Sequence, residues 1–461
     1  MSSRAGYCGR WGAALAAILA AGQAAAEDWP TYQHDERRSG VTRERLDMPL
    51  RQRWVYRSRH APQPAWPAPA KTDYWHSLPE LSPRVTYDRA FHVAAVGDAV
   101  YLGSSADDKV YCLDAATGRL RWAFFTGGPV RLAPTVHGGR VYAGSDDGCV
   151  YCLAAADGRL LWTYRADAEG RCVIGNGRLI AACPVRTGLV ANSETVWLCA
   201  GLFPNEGVYL AAIDARTGKE KWKHRLDAES PQGYLLASPS VLYVPTGRTA
   251  PVAFRRAEGT RLGRMKGTGG AYALLASDML AFGPGRTGQM DAIDPATRDH
   301  LVTFDGLHMV VAADRAYLQT STSLSAFDRP RYLRLIKERK ALSGRQAAIA
   351  KRLKQLGKRA VSPEGKRLAG ELATMRARLA AIGKELPTCF LWRQPCAQRY
   401  ALILAGDTLF AGGDGAVTAC AAADGKRLWS APVAGRAYGL AVANGRLLAS
   451  TDRGTIHCFG N

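Results

Sequence analysis

What this 461-residue chain lacks narrows its chemistry before any motif is read. None of its 11 cysteines is adjacent to another, and no Cys-x-x-Cys is followed by His. That second absence excludes covalent haem attachment. No Cys-x-x-Cys is matched by His at zinc spacing either, so no metal site is predicted. No His-Glu-x-x-His, nucleophile elbow or carboxylate pair stands out, which leaves metallopeptidase and hydrolase chemistry without their residues. Beyond the first 26 residues no apolar run approaches the length of about 18 that marks a membrane-spanning helix.

The start of the chain is informative. Arg4 and Arg10 precede an apolar run from Trp11 to Ala21, and Ala24-Ala25-Ala26 precede Glu27-Asp28. This pattern predicts a secretory signal peptide over residues 1–26, cleaved after Ala26. Cys8 lies ahead of the apolar run, so there is no lipobox and a periplasmic or extracellular protein is expected. Ten cysteines then meet an oxidising compartment. Cys112, Cys152, Cys420 and Cys458 are assigned one shared register (Val-Tyr-Cys-Leu twice, Thr-Ala-Cys-Ala, Ile-His-Cys-Phe) and are expected to be core filler. Cys389 and Cys396 are the one pair expected to form a bridge.

Four stretches repeat one sentence: Leu113-Asp-Ala-Ala-Thr-Gly-Arg-Leu-Arg-Trp122, Leu153-Ala-Ala-Ala-Asp-Gly-Arg-Leu-Leu-Trp162, Ile213-Asp-Ala-Arg-Thr-Gly-Lys-Glu-Lys-Trp222 and Cys420-Ala-Ala-Ala-Asp-Gly-Lys-Arg-Leu-Trp429. Each joins an apolar strand to a second strand ending in Trp through an Asp/Thr-Gly turn. A spacing of about 40 residues is the period of a four-stranded β-propeller blade. Degenerate copies end near Leu262 and near Leu301, while Trp392 and Trp54 supply two further strand ends. The count predicts an all-β, eight-bladed β-propeller over 27–461. Its C-terminal blade is completed by the Trp54 strand, which leaves no open sheet edge. Trp54, Trp122, Trp162, Trp222, Trp392 and Trp429 are therefore read as structural.

These repeats, from Trp29-Pro-Thr-Tyr-Gln-His-Asp to Phe459, resemble the pyrroloquinoline-quinone-type (PQQ-like) eight-bladed propellers. That family includes quinoprotein dehydrogenases and the outer-membrane assembly scaffold lipoprotein BamB. The resemblance implies a fold and leaves activity open. The family's enzymes carry an adjacent Cys-Cys disulfide over the quinone, a Trp platform, calcium ligands and an Asp base. This chain has no adjacent cysteines, so no cofactor is expected and PQQ is the alternative to test. The reading is a BamB-like exported, non-catalytic binding or assembly scaffold. A PQQ-dependent oxidoreductase working at a channel-mouth site is the alternative.

Two segments depart from a plain propeller. Over 329–386 the period changes: Leu335, Leu342, Ile349 and Leu356 recur every seven residues, and Leu368, Leu372, Met375, Leu379, Ile382 and Leu386 follow a four-three spacing. Gly357 and Ser362-Pro363 mark a stop and a new start, so an antiparallel coiled-coil hairpin is predicted inside blade six, projecting roughly 35–40 Å. It carries 17 Lys/Arg against Glu338, Glu364, Glu371 and Glu385. An envelope protein or an anionic polymer or lipid is its expected partner, nucleic acid is not, and the chain is expected to be a monomer. The second segment, the Pro-rich loop over 57–87, is expected to seal one end of the channel. The channel mouth itself should gather Arg89, Arg131, Tyr234, Tyr272, Arg399, Tyr400, Arg436 and Tyr438, a set suited to a planar or carboxylate-bearing ligand.

Overall fold

The computed structural model describes residues 26–66, 85–175, 177–247, 249–270, 272–285 and 288–461. The predicted signal peptide up to Ala25, with Pro67, Pro69, Tyr74 and Trp75, lies outside the described residues. What is described is mostly strand. Six four-stranded antiparallel sheets follow in chain order, over 93–125, 135–165, 190–225, 236–264, 272–305 and 308–395. An eight-stranded sheet comes last, and its long strand Arg427–Ala443 pairs with Asp414–Ala421 through one half and Arg446–Thr451 through the other. The strand Arg51–Arg57 adds antiparallel to the final strand Thr455–Gly460, with Trp54 opposite Cys458. A two-stranded hairpin, Cys172–Gly175 with Arg178–Ala181, was not foreseen from sequence.

The repeat's chemistry explains how sheets join. Asp114 Oδ1 accepts from the Ala116 and Thr117 amides and the Thr117 hydroxyl at 3.1, 2.9 and 2.8 Å, and Asp214 does the same in its own turn. The turn so fixed then receives a Trp from the preceding sheet. Indole N–H groups of Trp54, Trp122, Trp162 and Trp222 donate to the carbonyls of Ala115, Ala155, Ala215 and Ala257 at 2.9, 3.0, 3.2 and 2.7 Å. Trp392 reaches Ala422 at 3.1 Å and Trp429 reaches Leu50 at 2.9 Å. The turn glycine is required twice over. Gly158 has φ +74°, and a Cβ there would stand 2.5 Å from the Trp122 ring.

Where the repeat decays, it decays in pairs. The residue at the Trp position of the 236–264 sheet is Gly263, opposite Ala253. The next turn has Arg298 where others have Gly, and its guanidinium extends over Gly263 to the Leu262 carbonyl. The bulk missing from one partner is supplied by the other. In the following sheet the Trp position is Val302, and the next turn is replaced by helices.

Two cysteine expectations need correction. Cys112, Cys152 and Cys458 do sit opposite Trp122, Trp162 and Trp54, but Ala419 faces Trp429. Cys420 is one residue further on and pairs with Arg427, so alternation of strand faces puts it on the other side, although all four are buried. Cys389 and Cys396 are free thiols at opposite ends of the strand Phe390–Pro395. Six extended residues separate their Cα atoms by roughly 20 Å, far beyond the reach of a disulfide.

Helix α1 (Arg329–Leu356) starts at Asp328, whose carboxylate accepts from Arg331 N at 2.9 Å, and α2 (Pro363–Glu385) starts at Ser362. A bidentate Arg378–Glu338 pair, and Arg352 donating through two nitrogens to Glu364 Oε1, hold the two helices side by side in opposite directions. The base does not project. Tyr332, Leu333, Leu335 and Ile336 bury against Leu301, Val302, Phe304 and Phe327, with Ile382 and Cys389. Lys337 pairs with Asp294 at 2.7 Å. The free part therefore begins near Ser343 and extends roughly 20 Å, about half the sequence expectation.

Replacing Gly158 with Val should lower the urea midpoint by the equivalent of about 2–4 kcal/mol, because the new methyls meet the Trp122 ring. Gly344→Ala in α1, where nothing stands within 4 Å, should be neutral or stabilising. Equal effects of the two would mean that the Trp–turn contact contributes nothing special.

Candidate functional site

One short segment touches almost every sheet. Residues 27–42 bond through the backbone to the first strand of five of them: Trp29 with Ala95, Pro30 with Val136, Glu36 with Ala237, Arg37 with Leu275 and Gly40 with Leu404. Chain that reaches all these inner strands at once must cross their common centre. Its hub is Arg38, 1% exposed, which donates to the carbonyls of Leu235 and Leu189 at 2.9 Å each and to Thr31 Oγ1 at 2.8 Å. Burial pulls its pKa down to about 10 against the opposing pull of Tyr234 and Asp35, so it remains charged at neutral pH. Tyr32 of the same segment stacks on Tyr234, ring centroids 3.7 Å apart. Nothing in the period or charge of this segment marked it as a plug.

The opposite end of the inner strands is filled as well. Arg131 bridges Asp146 at 2.6 Å and Asp88 at 3.3 Å, and Arg186 binds Asp146 through two nitrogens at 2.9 Å. Two guanidinium groups thus balance two carboxylates in a buried site. The loop after Arg57 closes over them. Gln63 O accepts from Arg131 at 2.6 Å, Ala65 N donates to Asp88 at 2.7 Å, and Trp66 Nε1 donates to Gln232 at 2.5 Å. Trp66 and Tyr32 pack on one apolar cluster of Val85, Tyr87, Leu132, Ala133 and Tyr234. The two segments thus share one cluster. Burial raises the pKa of Asp88, although Arg131 opposes it. Asp88 Oδ1 and the Tyr87 hydroxyl have no hydrogen-bond partner among the described residues.

The eight sequence candidates accordingly separate. Arg131, Tyr234 and Tyr272 are buried and committed inside the protein: Tyr234 accepts the Ala133 amide at 2.8 Å, and Tyr272 donates to the Met309 carbonyl. Their assignment to an open mouth is corrected, because strand starts that converge also pack. The other five gather elsewhere. Tyr400 and Tyr438 lie 4.8 Å apart, Arg399 and Arg436 lie 5.5 and 5.8 Å from the Tyr400 ring, and Arg89 reaches the Tyr438 hydroxyl at 3.5 Å. Arg399 and Arg436 are exposed, and among the described residues only Arg436 of the two pairs with a carboxylate, Asp414 at 3.3 Å. Chemically this patch can hold an acidic group against an aromatic face.

Residues 68–329 and 358–461 match the family described as outer membrane protein assembly factor BamB. The chain belongs to this BamB family. The match to the BamB-family pattern breaks over residues 330–357, which are α1 without its first residue together with Gly357 that ends it. A search of curated proteins by sequence returns no match. Solved structures similar to the chain include a europium-containing methanol dehydrogenase, with TM-score 0.60, 10% identity, and 94% of this chain and 98% of that one covered. The quinohemoprotein alcohol dehydrogenase of Comamonas testosteroni aligns at TM-score 0.57 and 13% identity over 95% and 81%. The computationally designed Ika8 protein aligns at 0.55 and 13% over 82% and 98%. At such identities the likeness establishes a shared propeller-like fold alone.

The quinoprotein alternative raised by the repeats makes PQQ the cofactor to test for fit, and the residues present do not fit it. A planar tricarboxylate needs unpaired cations and a flat slot. Arg131 and Arg186 are balanced by Asp88 and Asp146, the interior is occupied by Tyr32 and Trp66, and Tyr400 and Tyr438 tilt 46° against each other.

Two channel histidines give a pH test. Burial lowers the pKa of His92 and of His308 to about 4, and His308 holds Gln319 at 2.8 Å. Unfolded His titrates near 6.5, so the unfolded chain gains protons that the folded one refuses. Stability should fall as pH drops from about 6.5 towards 4, and His308→Asn should flatten that slope. A urea midpoint unchanged between pH 7 and 5 would contradict the packed, neutral channel.

Proposed function

We propose that this chain is an exported, non-catalytic propeller of eight blades that serves as a binding or assembly scaffold in the cell envelope. In this reading the eight-stranded sheet is two blades sharing one long strand, and the Arg51–Arg57 strand closes the ring. The observation that carries it is the channel filled by the protein's own chain, residues 27–42 from one face and the loop through Trp66 from the other. A site for a small substrate needs that space, whereas a scaffold uses its outer faces and gains rigidity from a packed centre. Membership of the BamB family supports the same reading.

Two surfaces remain for partners. One is the patch of Arg89, Arg399, Tyr400, Arg436 and Tyr438. The other is the free part of the hairpin, 343–376, with nine Lys/Arg against Glu364 and Glu371. Val361 is 77% exposed at its tip, flanked by the exposed Arg359. Unbalanced charge on a projecting arm attracts an anionic partner such as an acidic envelope protein, polymer or lipid surface.

Replacing 343–376 with a short Gly-Ser turn keeps the packed base and the helix-holding Arg378–Glu338 pair. The variant should fold as the parent does yet lose most retention on anionic envelope fragments in a sedimentation assay, and parent retention should weaken with salt. Undiminished binding after truncation would sink the role of the arm. Stoichiometric uptake of PQQ with calcium, seen by absorbance and accompanied by dye-linked alcohol oxidation, would overturn the scaffold reading.

A further inference from the structure

Glu44 is 2% exposed, yet among the described residues its carboxylate meets only backbone amides. Oε2 accepts from Glu27 N and Asn444 N at 2.9 Å each, and Oε1 accepts from Gly445 N. No Lys or Arg forms an ion pair with Glu44 among the described residues. A buried carboxylate without a cation is costly, and three neutral donors offset only part of that cost. One of the donors is unusual in its position. Glu27 is the residue that follows the Ala24-Ala25-Ala26 cleavage pattern, and Ala26 before it is exposed.

Glu27 is also held from its other side. Its own carboxylate accepts from the Thr42 hydroxyl at 2.6 Å and Arg43 N at 3.0 Å. The nitrogen of residue 27 is thus aimed at Glu44 whether or not a chain precedes it.

We propose that Glu44 is the receptor for the processed N-terminus: hydrolysis of the Ala26–Glu27 bond supplies the missing counter-ion. A signal-peptidase-type endopeptidase adds water across that bond. The hydroxyl goes to the Ala26 carboxyl, the hydrogen goes to the Glu27 nitrogen, and the freed amine takes a proton from solvent. The neutral amide donor becomes an ammonium 2.9 Å from Glu44, and a hydrogen bond becomes a charge-assisted one. The pair ties the start of the 27–42 plug to the Asn444–Gly445 turn of the last sheet, so processing during export tightens the filled channel. The inference rests on the exported reading above.

The sign of the pH dependence follows. An α-amine titrates near 8 in the unfolded chain, and a carboxylate partner raises that value in the fold. The added stability is fully present below about pH 8 and is lost as pH rises through the folded value.

The test compares two proteins, one beginning at Glu27 and one with an uncleavable Gly-Ser extension before it, each with Glu44 or Glu44→Gln. Thermal midpoints are read at pH 6.5 and pH 10.5. Glu44→Gln should lower the midpoint of the Glu27-start protein clearly more than that of the extended one, and the gap should shrink at the higher pH. Equal lowering in both proteins overturns the pairing. If Glu44→Gln does not fold, acylation of the α-amine in the unaltered protein decides. Each unit by which pairing raises the amine's pKa slows labelling in the fold about tenfold relative to urea, and equal rates overturn the pairing. Intact mass of the exported protein tests the other half: a first residue other than Glu27 overturns the processing step and leaves the engineered-start comparison to judge the pair on its own.

Discussion

The docking of a Trp onto the next sheet's Asp-x-x-Thr-Gly turn is the contact on which everything else in this protein rests. Strands within a sheet are joined by backbone hydrogen bonds, but sheets arranged around a centre share few such bonds with each other. Side chains must do that work. Here the indole covers a glycine that has no Cβ to block it, and its N–H satisfies a carbonyl that the turn leaves open. The same bond occurs six times, from Trp54 to Trp429, whose partner Leu50 lies just before the Arg51–Arg57 strand. Its geometry tolerates exchange but not loss, which is why Gly263 is met by Arg298.

The place where the exchange fails is where the hairpin entered. Val302 leaves the next turn without an indole to dock, and the turn itself gives way to α1 and α2. Phe304, Phe327, Tyr332 and Phe390 then build an aromatic cluster that does the joining instead. The insertion thus sits at a joint already relieved of its usual contact. Because its base is embedded, the cationic end is carried at a set position rather than on a loose tether.

The polar groups on the inner strands are engaged by the protein's own chain. Arg38 uses all three guanidinium nitrogens on carbonyls and a hydroxyl, and Asp88 and Asp146 face the guanidinium groups of Arg131 and Arg186. Burial also keeps His92 and His308 uncharged at neutral pH. A centre of this kind holds the sheets in register.

Much of this was legible in the residues. The turn motif and its Trp named the strands, their pairing and the join between Arg51–Arg57 and the last strand, because both are written within about ten residues of one another in each copy. Helix stops and caps at Gly357, Ser362 and Pro363 were equally local. What sequence could not decide was which side of a strand and which end of the channel a residue would occupy. A shift of one position moved Cys420 to the other face, and Cys389 and Cys396, close in number, ended far apart because the chain between them is extended. Arg131, Tyr234 and Tyr272 fit a binding pattern but were claimed by Asp146, Ala133 and Met309, partners brought in only by the closing of the fold. Residues 27–42 carried no period at all, since a plug that bonds to five strands takes its shape from them. Local chemistry set the strands, turns and helices of this protein, while long-range packing alone settled which polar groups were left free to meet anything else.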